Sequence, residues 1–122
     1  MTEKTINVLY IEDDIEVIAS MNFFLNMSFK KVYLCNNGKE ALNTFIQYKD
    51  DIHLIITELD IPTLNGIEMI KKIKEIKDDI PIFIVSAQID LIEETKKLGV
   101  KKFFKKPVLD IFEIKNTINK YL

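Results

Sequence analysis

Four apolar runs in this chain end in groups that handle charge. Ile6–Ile11 gives way to Glu12-Asp13-Asp14, and Leu54–Ile56 to Thr57-Glu58-Leu59-Asp60. Ile82–Val85 ends at Ser86, and Lys102–Lys105 at Lys106, directly before Pro107. Carboxylates held close together disfavour one another's charge and destabilise a fold unless something compensates. A hard divalent cation such as Mg²⁺, which takes one or two carboxylates plus water and phosphate oxygens, is the natural compensator. Acids, a hydroxyl and an ammonium around a cation are the parts needed to handle a phosphoryl group, because metal and lysine offset the charge on its oxygens. Each residue alone has a plainer use: Asp13 caps a helix, Asp60 forms a turn before Pro62, Ser86 ends a strand, and Lys106 is one lysine among many. Their shared position at the ends of apolar runs is what joins them.

The elements that must position these groups follow from the pattern. Short apolar runs bounded by turn signals read as buried strands at Ile6–Ile11, Lys31–Cys35, Ile52–Thr57, Ile82–Ser86 and Lys102–Lys105. Amphipathic helical patterns follow each in turn, at Ile15–Asn26, Gly38–Gln47, Ile67–Lys77, Leu91–Leu98 and Ile111–Leu122. Every helix start offers an Asx residue with a glutamate three positions on: Asp13 and Glu16, Asn37 and Glu40, Asn65 and Glu68, Asp90 and Glu93, Asp110 and Glu113. That is the spacing of a capping box. Gly99 follows the fourth helix as a left-handed cap, and Pro81 precedes a strand where its missing N–H does least harm. Strict strand–helix alternation with short connections predicts an α/β fold, a doubly wound parallel sheet with helices on both faces. The loops after the strands then gather at one edge, where such sheets bind their ligands.

Composition narrows the function classes. The 122 residues, 48% hydrophobic and 30% charged, suit one domain with a core of its own. The lone Cys35 allows no internal disulfide, suits a reducing compartment and reads as a small core residue. No run of apolar residues is long enough to span a membrane, and no apolar segment follows the charges of the N-terminus, so a cytoplasmic location is expected. Residues 1–70 carry 5 lysines against 11 acids, and residues 71–122 carry 12 against 8. All 17 basic residues are lysine, so the planar fork that reads guanine or grips phosphate is missing and direct nucleic-acid binding is not expected. His53 has no His or Cys partner and is not expected to bind metal.

The stretches Ile11-Glu12-Asp13-Asp14, Ile55 to Glu68, Ile84-Val85-Ser86-Ala87 and Phe103-Phe104-Lys105-Lys106-Pro107 resemble the receiver (response-regulator) domain of two-component signalling. The resemblance covers essentially all of residues 1–122. It implies a flavodoxin-like (βα)5 fold of strand order 2-1-3-4-5, similar to the chemotaxis response regulator. Carried over by position, it assigns Glu12 and Asp13 to the acidic pair that holds Mg²⁺, with the Asp60 backbone carbonyl completing the metal site and Glu58 beside it. It assigns Ser86 to the hydroxyl that follows the phosphoryl group, Lys106 to the lysine that contacts it, usually before a cis-proline, and Phe103 to the aromatic switch. The implied partners are a sensor histidine kinase or phosphotransfer protein, and an effector docked on the face of helix four, strand five and helix five. The lysine excess of Asp90–Leu122 falls on that face.

The chain departs from the family pattern at the centre. Glu58 stands where the family carries its phosphoacceptor aspartate. Glutamate has the same charge, but its carboxylate lies one methylene further out, and a misplacement of about 1 Å costs on the order of a hundredfold in rate. The resemblance therefore implies impaired phosphorylation, with the Glu58 carboxylate reaching toward Lys106 or Ser86 and biasing the domain toward its active surface. Two alternatives stand beside this one. Glu58 or Asp60 accepts phosphate after all, or the sheet carries a small metal-dependent phosphatase, against which stands the lack of a Gly-rich phosphate loop, a His base or any further nucleophile.

Overall fold

Five parallel strands in the order β2-β1-β3-β4-β5 form the sheet of a computed structural model of the chain, which describes residues 5–108 and 111–122. The strands are β1 (Asn7–Ile11), β2 (Lys31–Cys35), β3 (Leu54–Thr57), β4 (Ile82–Ser86) and β5 (Lys102–Lys105). Between and after them run α1 (Ile15–Ser28), α2 (Gly38–Tyr48), α3 (Gly66–Ile76), α4 (Ile92–Lys97) and α5 (Ile111–Tyr121). The expected architecture and strand order are those observed.

Alternate residues of the central strands feed two separate cores, as the period of two requires. Leu9, Ile11, Ile55, Ile82 and Ile84 pack with Ala41 and Phe45 of α2 and with Met69, Ile70 and Ile73 of α3. Val8, Tyr10, Leu54, Ile56, Phe83 and Val85 pack on the other face with Met21 and Leu25 of α1 and with Ile114 and Ile118 of α5. Phe103 and Phe104 divide between the faces: Phe104 is buried in the second core, and the half-buried Phe103 leans on the first. Burying one such aliphatic side chain contributes about 1.5–3 kcal/mol, so the two faces jointly fix the register on which the site depends.

Three sequence expectations need correction. The strands are not all buried: β2 and β5 are the sheet's edges, and Lys31, Leu34, Lys102 and Lys105 are exposed. Asp14, not Asp13, caps α1. It holds extended backbone angles, φ −78° and ψ 115°, and its carboxylate accepts the N–H groups of Glu16 and Val17. Asp90 caps nothing, because a 3₁₀ turn at Ile89–Leu91 precedes α4, which starts from Leu91 with no side-chain cap. Asn37 and Asn65 do cap α2 and α3, through the N–H groups of Glu40 and Glu68. The Asp110 cap lies outside the described residues. Gly99 closes α4 with φ 85°, as expected.

One surface stands out for its exposed apolar side chains. Glu16 is the only ionisable residue of α1, and Phe23 of that helix is 71% exposed beside Met27 and, on α5, Phe112.

Candidate functional site

Glu12, Glu58 and Lys106 are each the first residue beyond a strand, and each is pinned by its own backbone. The N–H of Glu12 donates to Cys35 O at 3.1 Å, that of Glu58 to Ile11 O at 3.0 Å, and that of Lys106 to Ser86 O at 2.9 Å. The sheet's hydrogen bonding therefore continues one residue past the strands and sets three ionisable side chains side by side at its C-terminal edge. A cis peptide bond joins Lys106 to Pro107.

Lys106 Nζ lies 2.6 Å from Glu12 Oε1 and 2.9 Å from Glu58 Oε1, bridging the two acids. The second oxygen of each carboxylate turns back on its own loop. Glu12 Oε2 accepts from Asp13 and Asp14 at 3.1 and 3.3 Å, and Glu58 Oε2 from Leu59 and Asp60 at 2.6 and 3.3 Å. Glu12 is 2% exposed and Glu58 7%. Buried charges survive only when paired and hydrogen-bonded, and here both conditions are met. Burial works against the Lys106 ammonium, but hydrogen bonds and charge from Glu12 and Glu58 outweigh it and raise its pKa above the usual lysine value.

The other expected residues take separate positions. Ser86 is fully buried at the end of β4, and its hydroxyl accepts the N–H of Gln88 at 3.1 Å. Asp13 and Asp60 are exposed. Asp60 joins Glu68, Gln88 and Glu94 along a groove of about 360 Å³ between α3 and α4. Phe103 is half-buried against the first core. His53 serves the opposite end of β1, where its Nδ1 accepts the N–H of Asn7 at 2.9 Å.

Several contributors carried no obvious sequence signal. Tyr10 is buried on β1, and burial, reinforced by the charges of Glu12, Glu58 and Asp14, raises its phenol pKa. Its position two residues before Glu12 on a strand was the available clue, since such residues share a face. Gly66 lets the loop after β3 close on itself: a Cβ there would meet Leu59 Cα at 2.6 Å and Glu58 O at 2.9 Å. Thr63 holds φ 67° in that loop, accepts the N–H of Lys39 at 3.1 Å and donates to Asn37 Oδ1 at 3.1 Å. The loop that carries Glu58 is thus tied to the start of α2.

Such a site can hold negative charge against a fixed ammonium, and its geometry bears on a metal. Among the described residues no three His, Cys, Asp or Glu side chains come together so as to hold an ion. An ammonium stands between the two buried acids, so a divalent ion sharing their oxygens does not fit while Lys106 keeps this position.

Residues 8–119 match the model of the response regulator receiver domain. The chain belongs to the response-regulator receiver family. Sporulation initiation phosphotransferase F of Bacillus subtilis (strain 168) is 32% identical over 124 residues, an overlap spanning 100% of this chain and 95% of that protein. Other relatives are longer, and the chain spans between 14% and 47% of seven of them. A receiver domain from Clostridium thermocellum superimposes with a TM-score of 0.86 at 24% identity, covering 95% of this chain and 93% of that one. The complex of CheX, CheY, BeF3 and Mg²⁺ from Borrelia burgdorferi matches with a TM-score of 0.85 at 20% identity, covering 94% and 87%. At those identities the solved structures speak for the fold. Among the described residues no helix is long and apolar enough to cross a membrane.

Proposed function

We propose that this receiver domain is a switch and interaction module in which Glu58 acts as a built-in, partial substitute for a phosphorylated acceptor. The 2.9 Å contact between Glu58 Oε1 and Lys106 Nζ carries the reading. It sets a carboxylate oxygen against the ammonium that, in the family pattern, meets the phosphoryl group. One carboxylate supplies less charge than a phosphoryl dianion with its metal, so the shift toward the active surface is partial. Phosphorylation is impaired for a related reason. Both Glu58 oxygens already accept hydrogen bonds, and an in-line nucleophile needs one free and aligned on phosphorus.

The upstream partner is a sensor histidine kinase or phosphotransfer protein, and the effector docks on α4, β5 and α5. Glu12, Asp13 and the Asp60 carbonyl would hold Mg²⁺ if Lys106 moved aside. Ser86 and Phe103 are the switch residues in this reading.

The test is labelling with a small acyl-phosphate donor in Mg²⁺. The wild-type chain is expected not to label, and Glu58→Asp to gain labelling. A second reading, in which Glu58 or Asp60 accepts phosphate, draws support from the 32% identical relative named a phosphotransferase. Wild-type labelling abolished by Glu58→Gln or Asp60→Asn would establish it and overturn the first.

A further inference from the structure

Two buried acids at one sheet edge need a counter-charge, and the family pattern supplies a divalent cation. Here the counter-charge is already present and covalently attached. The four oxygens of Glu12 and Glu58 are all engaged, two on the Lys106 ammonium and two on the N–H groups of Asp13, Asp14, Leu59 and Asp60. The bridge depends on reach: Glu58 meets an ammonium whose backbone hangs from Ser86 O on β4, while the backbone of Glu58 hangs from Ile11 O on β1. Mg²⁺ requires oxygens at about 2.1 Å in near-octahedral array and gives up its water reluctantly. Seated on these oxygens it would share them with a cation one contact away, and two like charges so placed in a poorly solvated site repel strongly.

From this geometry we propose that Lys106 is the resident counter-ion of the pocket in place of a divalent cation, so that the folded domain is indifferent to Mg²⁺. The proposal rests on the receiver reading of Glu12, Glu58 and Lys106, and adds that a divalent ion enters only when the ammonium leaves. Lysine suits the role because its ammonium is a compact point charge with three donors, able to serve two carboxylates at once. Asp13, exposed and outside the bridge, is left without a metal to ligate.

The experiment uses the whole chain and two probes: thermal melting in Mg²⁺ against EDTA at matched ionic strength, and Mn²⁺ binding followed by electron paramagnetic resonance. A ligand bound only by the folded state at about 100 times its Kd raises stability enough to move a melting curve by several degrees. The wild type is expected to melt alike in EDTA and in about 10 mM Mg²⁺, with Mn²⁺ binding no tighter than millimolar, whereas a true site would respond as that linkage requires. Lys106→Met is expected to bind Mn²⁺ at least about tenfold more tightly and to melt higher in Mg²⁺. A saturable sub-millimolar site in the wild type overturns the proposal, and that titration decides the matter even if Lys106→Met fails to fold. A folded Lys106→Met with no gain in Mn²⁺ affinity overturns it too. The two readings fail separately: wild-type labelling by an acyl phosphate removes the phosphomimic, while a wild-type divalent site removes the resident ammonium.

Discussion

Lys106 holds two carboxylates that the fold has taken out of water, and its loss should show directly in stability. Removing one partner of a buried pair leaves uncompensated charge, which costs on the order of 3 kcal/mol. Lys106→Met should therefore lower the urea midpoint markedly at neutral pH. Lys105→Met, one residue away and exposed, should stay within about 0.5 kcal/mol of wild type. A Lys106→Met midpoint equal to that of Lys105→Met would mean that the bridge contributes nothing. At this scale the sequence was informative about membership and silent about pairing. Glu12, Glu58, Ser86 and Lys106 were each legible as the polar end of an apolar run. That Glu58 would meet Lys106 rather than Ser86 was not, because the choice depends on rotamers and on the spacing of strands that lie far apart in sequence.

Helix starts show how local rules succeed and where they slip. Asn37 and Asn65 cap as their spacing predicts, each accepting the N–H of the glutamate three residues on. Glu12-Asp13-Asp14 offered two adjacent candidates, and the spacing rule favoured the wrong one by a residue. The decision was made outside the motif: Glu12 draws the N–H groups of Asp13 and Asp14 onto its own carboxylate, which leaves Asp14 at the turn into the helix. Asp14→Ala should cost about 1 kcal/mol, the usual value of an N-cap. Asp13→Ala and Asp90→Ala, which cap nothing, should stay within about 0.5 kcal/mol. Equal costs at all three positions, measured by denaturant unfolding, would refute the assignment. Glycines separate in the same way. A Cβ on Gly38 would lie 1.7 Å from Leu64 O, so Gly38→Ala must shift the loop behind Glu58 and should cost more than about 3 kcal/mol. A Cβ on Gly99 would meet only the Lys74 side chain at an ordinary 3.5 Å, leaving the φ of 85° to protect, so Gly99→Ala should cost about 1–2 kcal/mol.

Over the whole molecule the shifted groups give the fold an alkaline weakness. Burial pushes the Cys35 thiol up from 9.0 to about 11. Below pH 9 the thiol is protonated in both folded and unfolded chains, so stability is complete. Between about 9 and 11 the unfolded chain releases the proton first, and stability falls. Tyr10, raised by burial and the neighbouring acids, acts in the same direction at higher pH. Lys106 adds to this, because its stabilisation lasts while it is charged and disappears as pH climbs through its raised value. Lys74, lowered by burial, works the opposite way. Chemical denaturation should show flat stability from pH 7 to about 9 and a decline toward 11, less steep in Cys35→Ala. A curve that does not change across that range would contradict the burial argument. The α/β alternation was readable at this scale because hydrophobic period and connection length survive without side-chain detail, and the strand order came from the resemblance to receiver domains. The exposure of β2 and β5 follows from that order, which sets them at the edges, and not from their own apolar patterns.

The two acids also lean on four amide protons, those of Asp13, Asp14, Leu59 and Asp60. Exchange of such protons with solvent deuterium is slow only while their acceptor stays in place. The amide of Leu59, 2.6 Å from Glu58 Oε2 in buried surroundings, therefore works as a clock built into the loop. Its exchange rate counts how often Glu58 lets go, and comparison with Asp13 and Asp14 tells whether the two arms of the bridge open together or one at a time.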